Sequence, residues 1–408
     1  MKNLLIICDD FPPHGGLRVG SFYKNLKQLG WNIEVIAFHH PSPSQEYNIF
    51  DNKPKINLID LKNIKSKKPN KIICFFKPEE SRIVGLTNEI IKMGENIIKN
   101  KNINVILATS SLYNNIFSAA SFLANKYNIP WIADFRDIEE QRNNFAELSF
   151  REKLYLLRVK LRRKIVLQNA YAVISISPWH VNFLKKYNKN VFLIYNGYDK
   201  NLKKKFDKKN KLTDKKVFTI LYLGSLLNKE TRDPTIFLKA CNNLITKKKI
   251  SPMKFECKFI GHDSDNIYNF LDKNKLSNFN WIKTQSYISH LLIPDIINNS
   301  EVLLLLTSNK TRGVMTTKFF EYLSFKKPII LCPEDDGSLS NIVNKLNLGF
   351  VCNNVSETEK YIYNLYKKWE SNENINLTIK DEELTIYQRE YQAKQLNEIL
   401  LNAIGNLK

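Results

Sequence analysis

Two series in which short apolar-rich stretches alternate with residues at helical spacing constrain this chain more than any other feature. The first series opens at Leu4–Cys8 and continues through Trp31–Phe38, Val105–Ala108, Trp131–Ala133, Ala172–Ile176 and Val191–Tyr195. Leu4–Cys8 is a continuous apolar run, as a strand covered on both faces gives, whereas a half-exposed strand alternates. Between the runs lie helical patterns: Phe22, Leu26 and Leu29 ahead of Gly30, then Arg82 to Asn100, then Ile116, Ala120, Leu123 and Tyr127. This order predicts parallel strands joined by crossover helices. The region from His39 to Glu79 is poorly patterned and carries a short strand around Ile56–Leu61.

The second series has strands at Phe218–Leu223, Phe255–Ile260, Phe279–Ile282, Val302–Leu306, Ile329–Leu331 and Phe350–Cys352, and a last helix from Ile386 to Ile404. Between the two series, Lys203 to Lys216 holds eight Lys and two Asp with almost nothing to bury. Such a stretch reads as a solvated linker. The expected organisation is α/β, with two Rossmann-like parallel-sheet domains facing a cleft: 1–200, a linker at 201–216, 217–384, and a C-terminal helix at 385–408 packing across the domains. At 408 residues, each domain can bury a full core.

The net charge of +22 suits nucleic acid, an anionic membrane or an acidic substrate. Lysine is spread along the whole chain without a nucleic-acid motif, so no specific nucleic-acid partner is expected. Six cysteines show no CxxC and no close pairing, which favours buried reduced thiols over a zinc site. The start, MKNLLIICDD, reads as a first strand and not a signal peptide, and no apolar run approaches the ~20 residues of a membrane span. A cytoplasmic protein is expected. One segment, Phe150 to Gln168, is a basic helix with Arg151, Lys153, Arg158, Lys160, Arg162, Arg163 and Lys164. Two readings of it stay open: a solvated face, or a surface that docks anionic lipid headgroups at the inner face of the membrane.

Three loops after strands carry the chemistry. In FPPHGGLRVG, Gly15 and Gly16 allow close backbone approach at a helix start, where a phosphate is stabilised. The loop is not GxGxxG, and no Walker A, HExxH or GxSxG sequence occurs. In LGSLLNKETRDP, Lys229 and Arg232 stand on a loop leading into a helix, and the Arg fork suits phosphate oxygens. In TRGVMTTKFFEYLSFKKPIIL, Thr316 and Thr317 cap a short helix on which Lys318 and Glu321 share a face. A fourth loop, DFRD, offers Asp134, Arg136 and Asp137 either to orient a substrate or as an ion-pair cluster.

Taken together, FPPHGG, IPWIADFRD, AVISISPWHVNFL, VFLIYNGYD, Gly224-Ser225 with Arg232-Asp233-Pro234, and GVMTTKFFEYLSFKKPII resemble retaining glycosyltransferases of the GT-B fold, family four. The resemblance runs in order over almost the whole chain. It implies a first domain that binds an acceptor and a second that binds a nucleotide-diphosphate sugar. It implies a ribose-binding role for Glu321, with Lys318, Thr316 and Thr317 beside it. Lys229, Arg232, Gly15 and Gly16 then surround the diphosphate, and Asp134, Arg136 and Asp137 are the catalytic candidates. Many members carry a second glutamate where this chain has Gly313, so the donor sugar stays open. The implied reaction is metal-independent transfer, with retention and no cofactor, to a glycan or lipid-linked acceptor in cell-surface polysaccharide synthesis. Two alternatives remain. One is a sugar-nucleotide 2-epimerase of the same fold, for which His14 is the best-placed histidine but has no convincing acid/base partners. The other is a non-catalytic nucleotide-sugar-binding protein.

Overall fold

A computed structural model describes residues 2–13, 15–39, 50, 54–64, 71–81, 83–111, 114–141, 148–202, 217–226, 231–273, 276, 279–286, 288–289, 292–308 and 310–405. The chain divides into two compact units, Met1–Asn196 with Arg389–Lys408, and Gly197–Gln388. The Lys-rich stretch 203–216 lies outside the described residues.

The first unit runs β1 (Lys2–Cys8), α1 (Leu17–Gln28), β2 (Trp31–His39), β3 (Asn57–Asp60), α2 (Lys71–Phe76), α3 (Leu86–Asn100), β4 (Val105–Ser110), α4 (Asn114–Tyr127), β5 (Trp131–Phe135), α5 (Phe150–Leu167), β6 (Ala172–Ser175), α6 (Pro178–Leu184) and β7 (Val191–Leu193). Its seven strands are ordered β3-β2-β1-β4-β5-β6-β7, and every pairing is parallel. Successive side chains of a strand face opposite sides. Leu4 and Ile6 therefore join one core with Val19, Phe22 and Leu26 of α1. Leu5 and Ile7 join the other, with Leu86 and Ile90 of α3 and Ile116 and Leu123 of α4. Both faces being covered explains why β1 reads as a continuous apolar run.

The second unit follows the same plan: β8 (Phe218–Leu223), α7 (Thr235–Thr246), β9 (Phe255–Ile260), α8 (Asn266–Lys273), β10 (Ile282–Gln285), α9 (Ile293–Asn298), β11 (Val302–Leu306), α10 (Thr317–Leu323), β12 (Ile329–Cys332), α11 (Ser340–Lys345), β13 (Gly349–Val351), α12 (Val355–Glu370) and α13 (Asp381–Thr385). The order β10-β9-β8-β11-β12-β13 repeats the doubly wound pattern of the first sheet. The chain then returns to the first unit in α14 (Arg389–Gly405). There Ala393, Leu396 and Leu400 join the core under α1. Gln392 accepts from the Tyr195 amide at 2.6 Å, and Asn397 accepts from the Trp31 indole at 2.8 Å.

Most strands fall within two residues of their expected bounds. The strand expected at Phe279–Ile282 is displaced: Phe279–Trp281 forms a 3-10 turn that buries Trp281, and the strand follows at Ile282–Gln285. The last helix begins at Arg389, not Ile386, because the Tyr387 carbonyl accepts from the Tyr198 amide at 2.9 Å and Gln388 bridges to Tyr198. That pairing holds the backbone extended where a helix would have started. The helix expected from Arg82 begins at Leu86, after Gly85 at φ 88°, and α2 has no counterpart among the expectations.

Candidate functional site

In an open doubly wound sheet, ligands bind beyond the carboxyl ends of the strands, where the strand order reverses. Each unit has one such point, between β1 and β4 in the first and between β8 and β11 in the second. The expected site residues that are described lie in β5 and the loop after it, in the loops before α1 and α7, and at the N-cap and along α10.

At the first point, Asp9 directly follows β1 and is 3% exposed. Its carboxylate accepts from Ser110 Oγ and the Ser111 amide, both at 3.1 Å, and so bridges the two reversing strands. It also forms an ion pair with Arg136, while Asp10 approaches the same guanidinium at 3.6 Å. Burial works against the Arg136 charge, but Asp9, Asp10, Asp134 and Asp137 outweigh it and hold its pKa above the ordinary value. Arg136 Nε has no acceptor among the described residues. Burial, reinforced by Asp9, also pushes the Cys8 thiol well above its usual range.

Gly15 and Gly16 lead into α1. Gly16 sits at φ 63° as the helix N-cap, no side chain caps the helix, and no acidic residue lies in its first turn. A Cβ on Gly16 would stand 2.2 Å from the Asp10 carbonyl oxygen, so only glycine fits. The first turn supplies Arg18, which is 6% exposed. Its guanidinium donates to both Asp134 oxygens at 3.0 and 2.9 Å, and to the Ile194 and Tyr195 carbonyls at 2.9 and 2.7 Å. Thr109 Oγ1 donates to Asp134 at 2.8 Å.

The three residues of DFRD thus part company. Asp134 is fully buried under Arg18. Arg136 joins Asp9. Asp137 accepts from Gln141 Nε2 at 2.7 Å, and Gln141 Oε1 lies 2.9 Å from His180 Nε2. Asp9, Arg18 and His180 were not singled out in the sequence. The double Asp closing the first apolar run was the available signal for Asp9; for Arg18 there was none, since Asp134 is 116 positions away.

At the second point, Gly224 follows β8, and a Cβ on Gly261 would lie 2.1 Å from its carbonyl oxygen. The ends of β8 and β9 can approach this closely only because residue 261 is glycine. Arg232 donates to the Thr231 carbonyl at 2.7 Å; the Tyr222 hydroxyl donates to the Ser225 carbonyl at 2.8 Å, and burial pushes its pKa up to about 12 while the Arg232 charge opposes the shift. The Asp233 amide donates to the Thr307 carbonyl at 2.9 Å, tying this loop to the end of β11. Lys229 lies outside the described residues, as does His14.

Helix α10 brings the third group. Thr316 is its N-cap, accepting from the Phe319 amide at 3.3 Å, and Thr317 is the first helical residue. Glu321 is 2% exposed and pairs with Lys318 Nζ at 3.1 Å. Tyr322 accepts from the Leu223 amide at 3.1 Å, which sets α10 against the carboxyl end of β8. Gly313, at φ 67°, gives its amide to Asp336 at 2.8 Å.

No protein-family model matches the sequence, and no curated protein matches it. Solved structures match over nearly the whole chain. A glycosyltransferase from Rickettsia africae is 14% identical, with 99% of each chain covered and a TM-score of 0.64. A sucrose-phosphate synthase from Thermosynechococcus elongatus is 14% identical, covering 100% of this chain and 98% of its own, at 0.60. A UDP-GlcNAc 2-epimerase from Neisseria meningitidis, solved with UDP-GlcNAc bound, is 16% identical, covering 98% and 100%, at 0.58. At such identities the likeness speaks for the fold alone, and the fold of this chain is the two-sheet α/β architecture of GT-B glycosyltransferases.

Proposed function

We propose that this chain is a glycosyltransferase that takes a sugar from a nucleotide-diphosphate donor and passes it, with retention and without a metal, to a glycan or lipid-linked acceptor. The observation that carries this reading is the pair Lys318–Glu321, its carboxylate buried and its lysine 26% exposed, on a helix that Tyr322 fixes to the carboxyl end of β8. A carboxylate at a reversal point, with Lys318 at 3.1 Å, presents the acceptor chemistry that the vicinal hydroxyls of a ribose call for. Arg232 and Lys229 then neutralise the diphosphate, and the Gly15–Gly16 turn with the uncapped start of α1 offers backbone donors of the kind an anion takes. Thr316 and Thr317 shape the mouth of the ribose pocket.

In the proposed reaction the bond from the anomeric carbon to the diphosphate oxygen breaks. The acceptor oxygen bonds to the same face, and its proton passes to the departing diphosphate. The developing negative charge is what the two cations stabilise. Of the DFRD residues, Arg136 is suited to touch substrate through the part of its side chain that stays exposed, 16%. Asp134, sealed by Arg18, acts by fixing α1 and β5, and Asp137 acts through Gln141.

The second reading is a nucleotide-sugar 2-epimerase, favoured by the likeness to UDP-GlcNAc 2-epimerases. Incubation with a panel of nucleotide sugars decides between them. Conversion of the donor to an isomer without an acceptor supports the epimerase, whereas release of nucleoside diphosphate, increased by an acceptor, supports transfer. No turnover and no binding would remove both.

A further inference from the structure

Helix α5 is apolar on two opposite sides, and only one of them is used by the fold. Its inner side carries Leu156, Val159, Val166 and Leu167, all buried. Two of its cations also serve the interior: Arg163 pairs with Glu139 and Glu140 at 2.6 and 2.9 Å, and Arg162 with Glu79 at 3.0 Å. Its outer side carries Phe150, Leu154, Leu157, Leu161 and Ile165, which are 38–80% exposed. At 3.6 residues per turn these five fall within an arc of about 80°, opposite the buried side. An ordinary surface helix would put polar residues there.

The stripe does not end at the helix. Ile73, Phe75 and Phe76 of α2 are also exposed, Phe76 at 71%, and the Arg158 guanidinium lies 5.3 Å from the centre of the Phe75 ring, joining the two helices. Cations border the stripe. By the same helical spacing, Lys153, Lys160 and Lys164 lie along one edge, and Arg151 and Arg158 along the other. The single acid of α5, Glu152, is occupied in the capping box with Ser149.

We infer that the α2–α5 face is a membrane-docking surface, on which α5 lies in the plane of an anionic bilayer with its outer stripe among the acyl chains. A protein groove could cover the apolar stripe alone. Rows of cations on both edges match instead the plane of anionic headgroups that flanks any helix lying in a bilayer. Each cation near such a surface strengthens binding by about fivefold at low salt. The surface deepens the proposed reaction by placing a lipid-linked acceptor beside the first unit, but its test does not depend on that reaction.

The test is flotation of the full chain with phosphatidylcholine vesicles, with or without phosphatidylglycerol, at low and high salt. The wild type should bind the anionic vesicles at least tenfold more tightly than the neutral ones, and lose most of that preference in high salt. Leu157→Glu with Leu161→Glu, both already exposed, should weaken binding at least tenfold while circular dichroism and melting stay unchanged. Lys160→Glu with Lys164→Glu should weaken binding to anionic vesicles only. Failure of the wild type to float with anionic vesicles overturns the proposal, as does undiminished binding by the leucine variant. Self-association that the leucine variant abolishes, without vesicle binding, overturns it in favour of a second copy. Vesicle binding measured without nucleotide decides this proposal, and nucleotide binding measured without vesicles decides the preceding one.

Discussion

Arg18 is the side chain whose loss should damage the first unit most. Its guanidinium makes two bonds to Asp134, at 3.0 and 2.9 Å, and two to the carbonyls of Ile194 and Tyr195. It also lies over the Phe22 ring, 4.7 Å from the centroid. Arg18→Met keeps much of the aliphatic packing but leaves the Asp134 charge buried, with Thr109 as its remaining side-chain donor among the hydrogen bonds described above. Breaking a buried pair from one side costs about 3–5 kcal/mol, or about two to four orders of magnitude in the local opening equilibrium. Arg18→Met with Asp134→Leu removes both charges and should recover much of that loss, because an apolar pair of similar volume often replaces a buried ion pair at little cost. The suitable assay is native-state hydrogen exchange on peptides covering β5, since two units need not unfold in one step. The reasoning is refuted if Arg18→Met costs under about 1 kcal/mol, or if the double variant loses the sum of the two single losses.

Other predictions address separate links in the account. Gly16→Ala must both adopt φ near 63° and displace the Asp10 carbonyl; it should cost about 2–4 kcal/mol by chemical denaturation, and a loss under 0.5 kcal/mol would refute the close approach. Arg232→Ala should lower kcat about a hundredfold or more in the transfer assay, and unchanged turnover would remove Arg232 from the diphosphate site. Tyr222 has its pKa raised from 10 to about 12 by burial, so the folded state holds this proton more tightly than the unfolded one. Its contribution is complete below about pH 10 and is lost as pH rises towards 12. Tyr222→Phe should therefore flatten the alkaline fall in stability, and an unaltered slope would contradict the burial. Of the six cysteines, Cys74 is partly exposed and the others are buried, so a thiol reagent should find one fast group in the native protein and six after denaturation.

Much of the fold was legible because parallel strands buried on both faces must be apolar throughout. Leu4–Cys8 and Val302–Leu306 fall in β1 and β11 for that reason. Helix α2 escaped because its apolar residues are not a buried face: Ile73, Phe75 and Phe76 point outward, and periodicity has nothing to register. The pair Lys318–Glu321 was legible, since three-residue spacing on a helix dictates contact. Asp134 was ambiguous because nothing local distinguishes a carboxylate facing a ligand from one sealed by an arginine of a distant helix. The same holds for α5: Arg162 and Arg163 look like the other cations in sequence, and only the distant Glu79, Glu139 and Glu140 turn them inward. The outward apolar stripe of α5 was hidden in turn by residues that read equally well as core.

The central claim is that Glu321 receives the ribose of a nucleotide-diphosphate sugar, and binding of nucleoside diphosphates to the wild type and Glu321→Gln tests it most directly. A ligand at a hundred times its Kd should stabilise the wild type by about 2.7 kcal/mol, seen as a raised Tm, and titration calorimetry should show at least tenfold weaker binding to Glu321→Gln, whose amide replaces an oxygen acceptor with a donor. If no nucleoside diphosphate raises the Tm, or if one binds both proteins with equal affinity, the assignment of this site is wrong.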